Sequence, residues 1–130
     1  MRASVTGGMP NLAPLYAETA AAVCVAAGRV DPGELVATQG WVVRAGDLAS
    51  TLAVEATVHH LDLVAHLDRP GPPADGLAEV RRVLEGLLGG PLPDGWDDAT
   101  AARRGTGREP LTAADRAALG GAAARFPLFG

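Results

Sequence analysis

Nine residues, Asp68–Gly76 (DRPGPPADG), carry three prolines and two glycines. No regular element runs through such a stretch. Each proline removes a backbone donor, and each glycine adds conformational freedom that an ordered element must give up. The break divides the chain into residues 1–68, a linker at 69–76, and residues 77–130. The total of 130 residues is the length of one ordinary domain and too short for two independent cores.

Both sides of the break read as helix, so the expected fold class is all-α. After a lead-in over residues 1–10, the segment from Asn11 to Ala27 is helical in composition. Leu12, Leu15, Tyr16, Thr19, Val23 and Ala26 recur on one side of it. Gly28 and Asp31-Pro32-Gly33 stop it. Glu34–Gly46 reads as a connector with a short extended piece at Trp41–Arg44, and a second, long helix runs from Asp47 to Leu67. Beyond the break, Leu77, Val80, Leu84 and Leu87/Leu88 define the apolar face of a third helix over Leu77–Leu88. A short helical piece covers Ala99–Arg104. Thr112 and Asp115 form a capping pair for a last helix over Ala113–Arg125, before the apolar tail FPLFG.

Composition removes several function classes. The net charge is −4, whereas a nucleic-acid-binding surface is basic. No apolar run approaches the roughly 20 residues of a membrane-spanning helix. Cys24 is the only cysteine, so no intramolecular disulfide forms, and it reads as an inert small hydrophobe. A soluble cytoplasmic protein without a nucleic-acid or membrane partner is the expectation. Trp41 and Trp96 read as packing anchors.

The chemistry-bearing signal lies in the second helix, in STLAVEATVHHLDLVAHL. At 100° per residue, Glu55, His59, Asp62 and His66 fall within about 60° of one another, while His60 points away. Val54, Val58, Leu61 and Ala65 flank this stripe on one side, and Leu52 and Leu63 on the other. A surface helix has an apolar centre and polar edges, and here that order is inverted. Burying these groups unpaired would cost several kcal/mol, so they need each other, a metal, or water. Glu55 and His59, at i and i+4, stand close enough to share one ion, with Asp62 or His66 as partners supporting the ligands. The competing reading of the same spacing is a solvent-facing polar stripe with a plain Glu–His pair. A weaker cluster, Arg103, Arg104 and Arg108 around Gly105-Thr106-Gly107, offers an anion site centred on Arg104 and Arg108, or simply a structural turn.

The segment VEATVHHLDLV (Val54–Val64) follows the Trp41–Gly46 connector and precedes the Pro/Gly break. It resembles the last bundle helix of the mycothiol-dependent maleylpyruvate isomerase family, which belongs to the DinB-like metal-binding four-helix bundles. The tail segments WDD (Trp96–Asp98), GTGREPLT (Gly105–Thr112), DRAALG (Asp115–Gly120) and RFPLFG (Arg125–Gly130) are also similar to members of that family. The resemblance implies a divalent metal, usually zinc, held by the Glu and His of an E-x3-H motif, which fall on Glu55 and His59. A further His from an earlier helix would complete the set. It also implies mycothiol as a thiol cofactor and a small organic acid as substrate. Residues 11–27 match the family's third helix, so the first two bundle helices, and with them the third ligand, are expected to be missing.

Two functions follow as expectations. One is a metal-binding, mycothiol-dependent isomerase or thiol-transferase-like protein, built on a partial DinB-like bundle of two long helices plus a small C-terminal helical region, truncated, with or without activity. The other is a non-catalytic helical interaction module that forms a homodimer.

Overall fold

In α3, Ala74–Leu88, the positions Leu77, Val80, Leu84 and Leu88, three and four residues apart, turn inward. Val80 and Leu84 are fully buried, and Leu77 and Leu88 pack at their edges. Leu87, on the outer flank, is exposed. The helix stops at Gly89, whose φ of 79° is left-handed, so that its amide reaches Glu85 O at 2.9 Å.

A computed structural model describes residues 12–130. The chain is mostly helical. In order it comprises α1 (Leu12–Ala27), β1 (Leu35–Thr38), β2 (Trp41–Arg44), α2 (Ala45–Val64), α3, α4 (Asp98–Gly105), α5 (Ala113–Leu119) and a 3-10 turn over Gly120–Arg125. The segment expected as a connector holds an antiparallel hairpin, with Leu35 paired to Arg44 and Thr38 to Trp41. Its two-residue turn is Gln39-Gly40, with φ of 45° and 85°. Two positive φ values match the twist of the strands, a geometry usually signalled by Asn-Gly. Glutamine in the first position weakens that signal, which is why the sequence shows only the second strand. The last helix is shorter than expected because Gly120 and Gly121 follow Leu119 and the chain tightens into the 3-10 turn.

The chain divides into two compact units, Met1–Ala49 and Ser50–Gly130. The boundary falls within α2, and the Pro/Gly break joins two helices of the second unit. In the first unit, no described residue is buried. The stripe expected to pack on α1 is exposed from Leu12 to Val23, as is Cys24. Trp41, expected as an anchor, is 74% exposed. This unit is tied by backbone bonds instead: Gly46 N to Pro32 O at 2.9 Å and Ala45 N to Glu34 O at 2.8 Å.

The core lies in the second unit. Val54 and Val58 of α2, Val80 and Leu84 of α3, Leu92 and Trp96 of the following loop, and Ala101 and Ala102 of α4 form it. Two small residues let the helices approach. A Cβ on Gly105 would stand 2.5 Å from Leu84 Cδ1, and one on Gly76 would stand 2.5 Å from Thr57 Oγ1. Arg81 pins the loop by donating to Asp98 Oδ1 at 2.5 Å and to the Trp96 carbonyl. Arg125 donates to the Leu87 and Leu88 carbonyls at the end of α3, where the last C=O groups lack helical partners.

Candidate functional site

The part of α2 in the second unit turns Val54, Thr57, Val58 and Leu61 toward the core. The adjoining face is exposed, and it carries Glu55, His59 and Asp62. Leu52 and Leu63, expected to flank the stripe with apolar cover, are exposed as well. The stripe is a surface feature, with its side chains in water, and no desolvation penalty forces its members together. His66 lies beyond the end of α2, exposed, and joins none of the stripe's ion pairs.

Three of the four residues do meet. His59 Nε2 lies 3.4 Å from Glu55 Oε2, and His59 Nδ1 lies 3.8 Å from Asp62 Oδ2. The side chains are 69% exposed for His59 and 58% for Glu55. Asp62 is gripped from the other side by Arg108, whose Nε donates to Oδ1 at 2.6 Å and whose Nη2 donates to Oδ2 at 2.7 Å. This two-pronged pair crosses 46 positions of sequence and ties α2 to the turn after α4. Arg108 Nη1 also donates to Thr106 O at 3.3 Å, which steadies the guanidinium. The Arg108 hydrogen bonds hold the Asp62 carboxyl below the usual carboxylate range, outweighing the opposing effect of burial. In return, Asp62 raises the pKa of Arg108. Sequence reasoning named both residues but in separate sites; no local pattern links positions 62 and 108.

The donor set fits part of a zinc site. Two donors bonded to zinc at about 2.1 Å in a tetrahedron stand about 3.4 Å apart, the separation of Glu55 Oε2 and His59 Nε2. The nearer carboxylate, Glu55, faces Nε2, while Asp62 Oδ2, at 3.8 Å from Nδ1, lies beyond hydrogen-bond distance. Asp62 is not itself a third ligand, because it faces the other nitrogen of the same ring. Among the described residues, no group of three His, Cys, Asp or Glu side chains converges on one point.

The two expected anion-binding arginines part company. Arg108 serves Asp62. Arg104 donates to Glu109 Oε1 through Nε at 3.0 Å and Nη2 at 2.8 Å, and to Asp115 Oδ1 through Nη1 at 2.8 Å. Its guanidinium also lies 5.4 Å from the Trp96 ring centroid. Among the described residues, no helix is long and apolar enough to cross a membrane. Compared with models of known protein families, with curated proteins and with solved structures, the chain has no match.

Proposed function

We propose that the chain is a metal-binding, thiol-assisted protein of the mycothiol-dependent maleylpyruvate isomerase kind, with Glu55 and His59 as two ligands of a divalent ion such as zinc. The observation that carries this reading is the arrangement about His59: a carboxylate oxygen at ligand-to-ligand distance from Nε2 and a second carboxylate toward Nδ1. Asp62 and Arg108 would orient the ring from behind, as outer partners of metal-bound histidines commonly do. An ion at this place supplies a positive charge that makes a thiol such as that of mycothiol a thiolate at neutral pH. The open face leaves room for that thiol, for a small organic acid, and for a donor from a second copy of the chain. Zinc titration against a competing chelating dye tests the reading, with helicity followed by circular dichroism. Retention near one ion per chain, or one per two chains, is expected. Paired Glu55→Ala and His59→Ala substitutions abolish it with helicity intact. Unchanged zinc content in that double variant removes these residues as ligands.

A second reading, a helical module that self-associates without chemistry, is favoured by the first unit. Its described residues bury nothing, while Leu12, Leu15, Tyr16, Leu35, Trp41 and Val42 stay largely in water. Monomers avoid exposing apolar patches beyond a few hundred Å². Sedimentation equilibrium distinguishes a dimer from a 13.2 kDa monomer, and a clean monomer overturns this reading.

A further inference from the structure

The second unit contains a cleft of about 190 Å³ between the turn after α4, the start of α5 and the tail. Leu111, Phe126 and Pro127 supply its apolar wall. The Phe126 ring stands edge-on against Trp96, with centroids 6.0 Å apart at 89°. Gly107 sits in the left-handed region at φ 76°, and a Cβ there would press within 3.2 Å of Pro127. Glycine thus keeps that side of the cleft open.

The charged side chains of the cleft do not balance. Arg104 and Arg116 bring two positive charges to its lining, and Glu109 brings one negative charge. Glu109 is already taken by Arg103 and Arg104, and Asp115 by Arg104, Trp96 and Thr112. The side chain of Arg116, an exposed residue, lines the cleft with no hydrogen-bond or ion-pair partner among the described residues. Arg104 spends three of its five N–H groups on the carboxylates. An uncompensated guanidinium beside a small apolar wall suits a ligand with one carboxylate and a short apolar body.

We propose that this cleft binds a small aromatic or aliphatic monocarboxylate, with Arg116 as its anchoring charge and the Phe126–Pro127 wall receiving the apolar part. The site is separate from the Glu55–His59 pair and holds whether or not that pair takes a metal. Trp96 touches both Arg104 and Phe126 and reports occupancy once the other indole is removed by Trp41→Phe. In that background, benzoate is titrated at constant ionic strength with selective excitation of the indole. A saturable change in Trp96 emission is expected, weakened at least tenfold by Arg116→Gln and less by Arg116→Lys, with far-ultraviolet circular dichroism unchanged. Benzamide, which keeps the ring and loses the charge, is expected to give no such change. An equal response in Arg116→Gln, or with benzamide, overturns the proposal. Equal binding of inorganic phosphate also overturns it, because an ion without an apolar body would then suffice.

Discussion

Trp96 donates its indole N–H to Asp115 Oδ1 across 2.7 Å, joining residues nineteen positions apart. The same oxygen accepts from Arg104 Nη1 at 2.8 Å. The other oxygen, Oδ2, accepts from the Thr112 amide at 2.7 Å and the Thr112 hydroxyl at 2.6 Å, while the Asp115 amide donates back to Thr112 Oγ1 at 3.1 Å. One buried carboxylate therefore completes the capping box of α5 with one oxygen and ties down the core tryptophan with the other.

Asp115→Ala is expected to lower Tm more than Asp97→Ala. Asp97 caps α4 by accepting from the Thr100 amide at its exposed end. Removing Asp115 strands the indole N–H and an Arg104 donor in the core as well as uncapping α5. Thermal melts of the two variants, followed by circular dichroism, decide the order.

Acid should unfold the second unit through two carboxyls. At Glu79, the Arg82 guanidinium, and next the Ser50 hydroxyl at 2.5 Å, bring the pKa down from 4.5 to about 2. Burial pushes the Asp115 carboxyl up, but hydrogen bonds from Thr112 and Trp96, with the Arg104 charge, outweigh it and hold the pKa at about 2. Both pKa values fall on folding, so their stabilisation is fully present above the unfolded values. It disappears as pH drops from about 4.5 toward 2. Urea midpoints should be flat near neutrality and decline across that window, and Glu79→Gln should make the decline shallower.

Leu84 and Gly105 should couple. Leu84→Ala empties a fully buried site and should cost about 2–5 kcal/mol. Gly105→Ala forces a methyl to within 2.5 Å of the leucine and should cost about 1–3 kcal/mol. In the double variant the new methyl occupies space that the leucine vacated, so the total loss should fall short of the sum. Chemical denaturation of the four proteins measures the difference, and strict additivity contradicts the packing.

Arg108→Gln should weaken zinc binding about tenfold or more while Glu55 and His59 remain in place. Loss of an outer partner of a ligating histidine commonly costs about 10–100-fold in affinity. The guanidinium would act through Asp62, which it holds by two hydrogen bonds. Dye-competition titration reads the affinity and thermal melting reads the fold. A lower Tm with unchanged affinity would reduce the Asp62–Arg108 pair to a clip between α2 and the turn.

Local chemistry made much of the fold readable in advance. The apolar spacing of α3 follows from helical geometry, and Thr112 with Asp115 is a cap whose partners lie within one turn. Glu55 and His59 were legible as a pair for the same reason, since four residues bring two side chains together on any helix. The first strand escaped notice because Gln39 takes a left-handed conformation that its side chain does not advertise.

Tertiary structure alone decided what each face meets. The periodicity of α1 marks an apolar side, yet no described residue of that unit is buried, because periodicity names a face and not its cover. On α2 the core took the Val54–Val58–Leu61 side and left the ionisable stripe in water, a choice between two flanks that both read as apolar. Asp62 found Arg108, Asp115 found Trp96, and Gly105 made room for Leu84 across separations of 46, 19 and 21 positions. Sequence by itself determined which residues stand within a turn of each other, since backbone geometry sets those distances. Pairings over longer separations depend on how the elements pack around Val80 and Leu84, and no local pattern encodes that arrangement.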